Sequence, residues 1–164
     1  MIALQLLETK DFMHKLLLTD IFDHFCLIEA SVSTFQTVTI DGRLNREYYS
    51  SEEAAALPPY NTWDKTKSFC YELIRGRHTP VAFHITMTLS PANIENVLKS
   101  IDAGMDSSQV SGLLINFRFD GRKVICTTGV SLNQFTLDRR LEHEWDTLVE
   151  KFLKKNQIIA DIPG

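Results

Sequence analysis

From Val81 to Leu89, apolar Val81, Phe83, Ile85, Met87 and Leu89 alternate with Ala82, His84, Thr86 and Thr88. A period of two predicts a strand with one buried and one polar face. Ser90 then reads as an N-cap and Pro91 as the first helical residue, where a missing N–H costs nothing. Ile94, Val97, Leu98 and Ile101 follow at helical spacing, in a helix that Gly104 is expected to stop. Alternation resumes with Leu113, Ile115, Phe117 and Phe119 on one side and Asn116 and Arg118 on the other. Asp120-Gly121 suits a tight hairpin, and Lys123 to Val130 reads as the returning strand.

A similar order occurs nearer the N-terminus. Ile2 to Leu6 reads as a short strand, Thr9 as the cap of a helix burying Phe12, Met13, Leu16 and Leu17, and Phe25–Ser31 and Phe35–Ile40 as two further strands. Two strand–helix–strand–strand units suggest a duplication with halves 1–48 and 79–132. Each half carries an Asp-Gly-Arg triplet, Asp41-Gly42-Arg43 and Asp120-Gly121-Arg122, although the first follows a strand and the second joins two.

The connecting segment, 50–76, begins with a capping box at Ser50 and Glu53 on a short helix that Pro58-Pro59 must end. Thr62 is then expected to cap a helix from Trp63 to Arg75 that buries Trp63, Thr66, Phe69, Cys70, Leu73 and Ile74. A C-terminal helix over 137–154 carries the stripe Leu137, Leu141, Trp145, Leu148 and Phe152. The apolar tail from Ile158 to Pro163 is expected to dock as a strand or meet a partner. These elements predict a single α+β domain over 1–164, with a mainly antiparallel sheet covered by helices.

Composition narrows the picture. A chain of 164 residues that is 44% hydrophobic is long enough to bury a core without staples. The net charge of -4 argues against a broad cationic surface for duplex nucleic acid, leaving room only for a local patch. Cys26, Cys70 and Cys126 lie far apart within apolar segments and form no CxxC pair, so buried free thiols in a reducing cytoplasm are expected. No apolar run reaches the length of a membrane span, and the first residues lack the basic region of a signal peptide. A soluble cytoplasmic protein is therefore expected.

Candidate chemistry is sparse. Asp20, Asp23 and His24 are the tightest cluster of metal-ligand types, yet acidic residues leaving a helix also serve simply as turn formers. Glu142, His143, Glu144 and Asp146 fall on a helix with His143 opposite the core stripe, which predicts a solvated face; no HExxH is present. Arg75, Arg77 and His78 flank Gly76 at a helix C-terminus, where they complement the helix dipole or hold a phosphate or carboxylate. His84, Asn116 and Arg118 stand on polar strand faces which, if they coincide, make a hydrogen-bonding surface. No GxSxG elbow or glycine-rich phosphate loop occurs, and no cofactor is implied.

The runs Asp11-Phe12-Met13-His14-Lys15-Leu16-Leu17, Thr39-Ile40-Asp41-Gly42-Arg43 and Phe117-Arg118-Phe119-Asp120-Gly121-Arg122 resemble a family of uncharacterised proteins of clostridial-type bacteria, a domain of unknown function. That resemblance implies no activity. The order of elements resembles the duplicated halves of a DNA sliding-clamp domain, which implies a clamp-like arrangement with nucleic acid met through Lys10, Lys15 and Lys99. Three functional expectations result. The first is a non-enzymatic binding module for a protein partner or a second copy of the chain. The second is a small enzyme or ligand-binding protein in which Arg75, Arg77, His78 and His84 converge on an anionic metabolite. The third is clamp-like contact with nucleic acid.

Overall fold

The structure, a computed structural model, describes residues 1–102 and 104–164. Seven strands, β1 (Ala3–Leu6), β2 (Cys26–Ser33), β3 (Thr37–Asp41), β4 (Ala82–Thr88), β5 (Val110–Phe119), β6 (Val124–Leu132) and β7 (Ala160–Asp161), form one sheet in the order β3-β2-β4-β5-β6-β1-β7. Every neighbouring pair is antiparallel. The helices are α1 (Thr9–Leu18), α2 (Ser51–Ala55), α3 (Trp63–Ile74), α4 (Pro91–Ile101) and α5 (Arg140–Lys155).

Alternation along the central strands separates two chemically distinct faces. Ala30 and Val32 of β2, Phe83, Ile85 and Met87 of β4, Ile115, Phe117 and Phe119 of β5, and Val124 and Cys126 of β6 are all buried. Register places them on one face, with Val32 opposite Phe83 and Ile85 opposite Phe117. Helices α1, α3, α4 and α5 contribute Phe12, Trp63, Ile94 and Trp145 to the same core. An aromatic group anchors it, with the Phe22 ring 5.5 Å from Phe117 and 5.4 Å from Phe152. Such pairs contribute about 0.5–1.5 kcal/mol each beyond the area they bury.

Local sequence explains where the helices begin. Ser50 and Glu53 form both bonds of the expected capping box, and Ser90 accepts from the Asn93 N–H with Pro91 just inside the helix. Thr9 does not cap α1, because Glu8 occupies that position and no side chain accepts there. Thr62 precedes α3, but its hydroxyl donates to Asp64 and leaves the helix N–H groups alone. At the end of α4 the left-handed residue is Asp102, φ 47°, with Gly104 also at positive φ beyond it.

Four burial expectations are corrected. Val81 is 65% exposed, because β4 begins only at Ala82. Phe69 is 64% exposed because α3 turns Trp63, Thr66 and Cys70 inward, and position 69 lies about a hundred degrees from Cys70. Leu137 is 84% exposed because α5 starts only at Arg140, where Asp138 Oδ1 accepts from the Arg140 N–H at 2.9 Å. Asp146, expected on a solvated face, is buried beside the sheet and accepts from the Thr128 hydroxyl. His143 is exposed, opposite the core side of α5.

The tail docks as expected, with Ala160 opposite Leu6 in β7 and Ile158 buried. Strand, helix, strand, strand occurs in both β1-α1-β2-β3 and β4-α4-β5-β6, but strand partners differ. β4 lies between β2 and β5, whereas β1 lies between β6 and β7.

The two Asp-Gly-Arg triplets share one device. Asp41 Oδ1 accepts from the Arg43 N–H and Asp120 Oδ1 from the Arg122 N–H, both at 2.9 Å, which closes a side-chain turn. Their glycines are required for different reasons. Gly121 has φ 95° in the β5–β6 hairpin, while a Cβ on Gly42 would lie 1.8 Å from the Leu27 carbonyl oxygen.

Candidate functional site

The face of the sheet turned away from the helices is polar across its width. Register aligns Thr39, Ser31, His84, Arg118, Ile125 and Gln5 in one row and Asp41, Glu29, Thr86, Asn116 and Thr127 in the next. Each of these is exposed or half-buried. The expected coincidence of the β4 and β5 polar faces is therefore present. His84 and Arg118 are direct cross-strand partners, as are Thr86 and Asn116.

Hydrogen bonds order the middle of this face. Thr86 Oγ1 donates to Asn116 Oδ1 at 3.1 Å, and Asn116 Nδ2 donates to Thr127 Oγ1 at 3.2 Å. Thr86 Oγ1 also lies 3.3 Å from His84 Nε2. Bonded to both neighbours, the Asn116 amide has its orientation set by the network. Arg118, by contrast, has no ion-pair partner among the described residues. It lines a shallow depression of about 360 Å³ with Ser31, Ser33, Ala82, His84 and Asp120. Asp120 turns its carboxylate toward the Lys123 and Arg122 N–H groups, which hold it below the usual carboxylate range. The groups turned to a ligand here are the Arg118 guanidinium, the His84 imidazole and the Ser31 hydroxyl, a set suited to an oxyanion, while Ser33 Oγ is bonded to Thr37 Oγ1 at 2.8 Å.

Arg75, Arg77 and His78 stand elsewhere. They line a depression of about 480 Å³ with Phe35, Gln36 and Val38 of the β2–β3 hairpin. Val38 is the register partner of buried Val32, so this depression opens toward the helix side of the sheet. The expected convergence of these residues with His84 on one pocket is not met: the sheet separates them. Arg75 is also paired with Glu72 at 2.9 Å, one helical turn back, as a helix-end cation would be.

The other candidate groups have structural partners. Asp23 accepts from Lys67 Nζ at 2.6 Å, and the same ammonium donates to the Thr19 carbonyl, so the loop carrying Asp20 and His24 is tied to α3. Among the described residues, no group of three or more His, Cys, Asp or Glu side chains is arranged to hold a metal ion. Of the lysines the clamp comparison singles out, Lys15 is paired with Asp11 at 2.7 Å and Lys99 with Glu95 at 3.6 Å.

Cys26, Cys70 and Cys126 are free and buried. Burial pushes the Cys70 thiol up to about 11 and Cys126 up to about 12, away from the thiolate form that acts as a nucleophile. No described helix is long and apolar enough to cross a membrane.

Sequence reasoning missed the β2 contribution. Glu29, Ser31 and Ser33 alternate with Ala30 and Val32, which was a readable sign of a polar face. That this face adjoins His84 was not readable, because the chain runs through β3, α2 and α3 between β2 and β4.

Fold and face together describe an α+β protein with a one-sided antiparallel sheet and an uncovered polar surface. The chain belongs to DUF5721, described as a family of unknown function, whose family model matches residues 15–161. No protein of curated function and no solved structure matches the chain.

Proposed function

We propose that the chain is a non-enzymatic binding module that uses the uncovered face of its sheet, centred on His84, Asn116 and Arg118, to hold an anionic group of a partner. The observation that carries this reading is the unpaired Arg118 guanidinium beside His84, over a rigid hydrogen-bonded strand framework. Donors fixed on strands lose less conformational freedom on binding than donors on loops. Three buried thiols suit a reducing compartment, and with this reading we place the chain in the cytoplasm.

The test is a ¹⁵N NMR titration with pyrophosphate as the anionic probe. Saturable shifts confined to Ser31, His84, Arg118 and their strand neighbours are expected. Shifts scattered over surface lysines, or a linear response without saturation, would count against the reading.

A further inference from the structure

A third concavity lies on the helix side of the sheet, between α4 and α5. It encloses about 380 Å³, and its floor is Phe25, Leu89, Ile115, Trp145 and Phe152. The Trp145 indole N–H already donates to the Leu114 carbonyl at 2.8 Å, so the ring presents only apolar surface to the groove. Exposed Lys151 and Lys155, one helical turn apart on α5, line it together with Asn93 and Asn96 of α4. Neither lysine has an ion-pair partner among the described residues, and no carboxylate lines the groove. In a chain of net charge -4, an apolar slot with two free ammonium groups in its lining is a local reversal of sign.

We infer that this groove binds a slender amphiphile with an anionic head, an alkyl carboxylate of medium length, its chain on the aromatic floor and its carboxylate between Lys151 and Lys155. The lining argues for a single alkyl chain with an acidic head: an unbroken aromatic and aliphatic surface from Phe25, Leu89, Ile115, Trp145 and Phe152 lies beside two ammonium groups one helical turn apart. Charge argues for an acid over a neutral lipid, since only an anion uses both ammonium groups. This site is separate from the sheet face proposed above and stands or falls independently.

Isothermal titration calorimetry of the whole chain with octanoate, decanoate and 1-octanol tests the inference. Octanoate should bind saturably at one site, and decanoate about 15-fold more tightly, as two further methylenes at about 0.8 kcal/mol each require. The Lys151→Gln/Lys155→Gln double variant changes exposed side chains. It should weaken octanoate at least fivefold, an effect on the order of 1 kcal/mol, and leave 1-octanol unchanged. The inference is overturned by absence of saturable decanoate binding up to about 1 mM, by equal affinities for octanoate and 1-octanol, or by unchanged octanoate affinity in the double variant. An acidic amphipathic peptide that binds the groove where decanoate does not would overturn it equally.

Discussion

His84 and Arg118 face each other across β4 and β5, on the side of the sheet that the helices leave open. Their neighbours across the β4–β5 ladder on the buried side, Ile85 and Phe117, are fully enclosed. One pair of strands thus supplies core on one face and a recognition surface on the other. Because Arg118 is exposed and pairs with no carboxylate among the described residues, replacing it with glutamine should leave the urea midpoint within about 0.5 kcal/mol of the parent. A larger loss would mean that Arg118 holds the fold together and is not free for a ligand.

Asn116 should matter more to stability than Arg118 does. Its amide bridges Thr86 and Thr127, and both bonds are half-buried. Asn116→Ala removes the bridge and should cost about 1–2 kcal/mol in chemical denaturation, while adding Thr127→Val to the Asn116→Ala variant should cost little more. Simple additivity of the two changes would contradict the network.

Gly42 is a packing constraint of a different kind. With a Cβ placed 1.8 Å from the Leu27 carbonyl oxygen, no rotamer change relieves the contact, because the obstacle is backbone. The Gly42 N–H also donates to Ile28 and its carbonyl accepts from Asn61, which pins the segment between β2 and the run before α3. Gly42→Ala should destabilise by about 3 kcal/mol or more, whereas Gly129→Ala, whose added methyl meets only Leu114 side-chain atoms at 3.8 Å, should cost far less. Circular dichroism melts of the two variants make the comparison, and equal melting temperatures would refute it.

The thiols predict a specific alkaline weakness. Cys126 is raised from an ordinary 9.0 to about 12 by burial alone. In the unfolded chain it ionises near 9, so the stabilisation from keeping it neutral is complete below that pH and declines as pH rises from 9 toward 12. Between about pH 8 and 10.5 this should remove roughly 2 kcal/mol from the parent that Cys126→Ala does not lose. Urea unfolding at the two pH values measures the difference. At neutral pH the native protein should also resist an aromatic disulfide reagent until denaturant is added.

Much of the secondary structure was legible because each element carries its own local signal. Strict alternation in β4 and β5, Ser90-Pro91 before α4 and the Ser50–Glu53 box before α2 need no tertiary information. Errors arose where tertiary contacts override pattern. Leu137 fits the α5 stripe, yet Asp138 captures the Arg140 N–H and starts the helix later. Phe69 is as apolar as Cys70, and which of them turns inward depends on where α1 lies. Asp146 sits among surface charges in the chain and under Thr128 in the fold.

The candidate site divides along the same line. That His84, Asn116 and Arg118 each occupy a polar face follows from alternation within single strands. That Arg75, Arg77 and His78 lie on the other side of the sheet depends on strand order, which local patterns do not encode. Ser31 joins the site only because β2 pairs with β4, a contact made over the whole of α2 and α3.

The most direct test of the uncovered sheet face as a recognition surface is the pyrophosphate affinity of the parent against Arg118→Gln at one salt concentration. At least a fivefold weakening is expected, about 1 kcal/mol for one lost charge-assisted contact, with the fold unchanged. Equal affinity in the two proteins would contradict it.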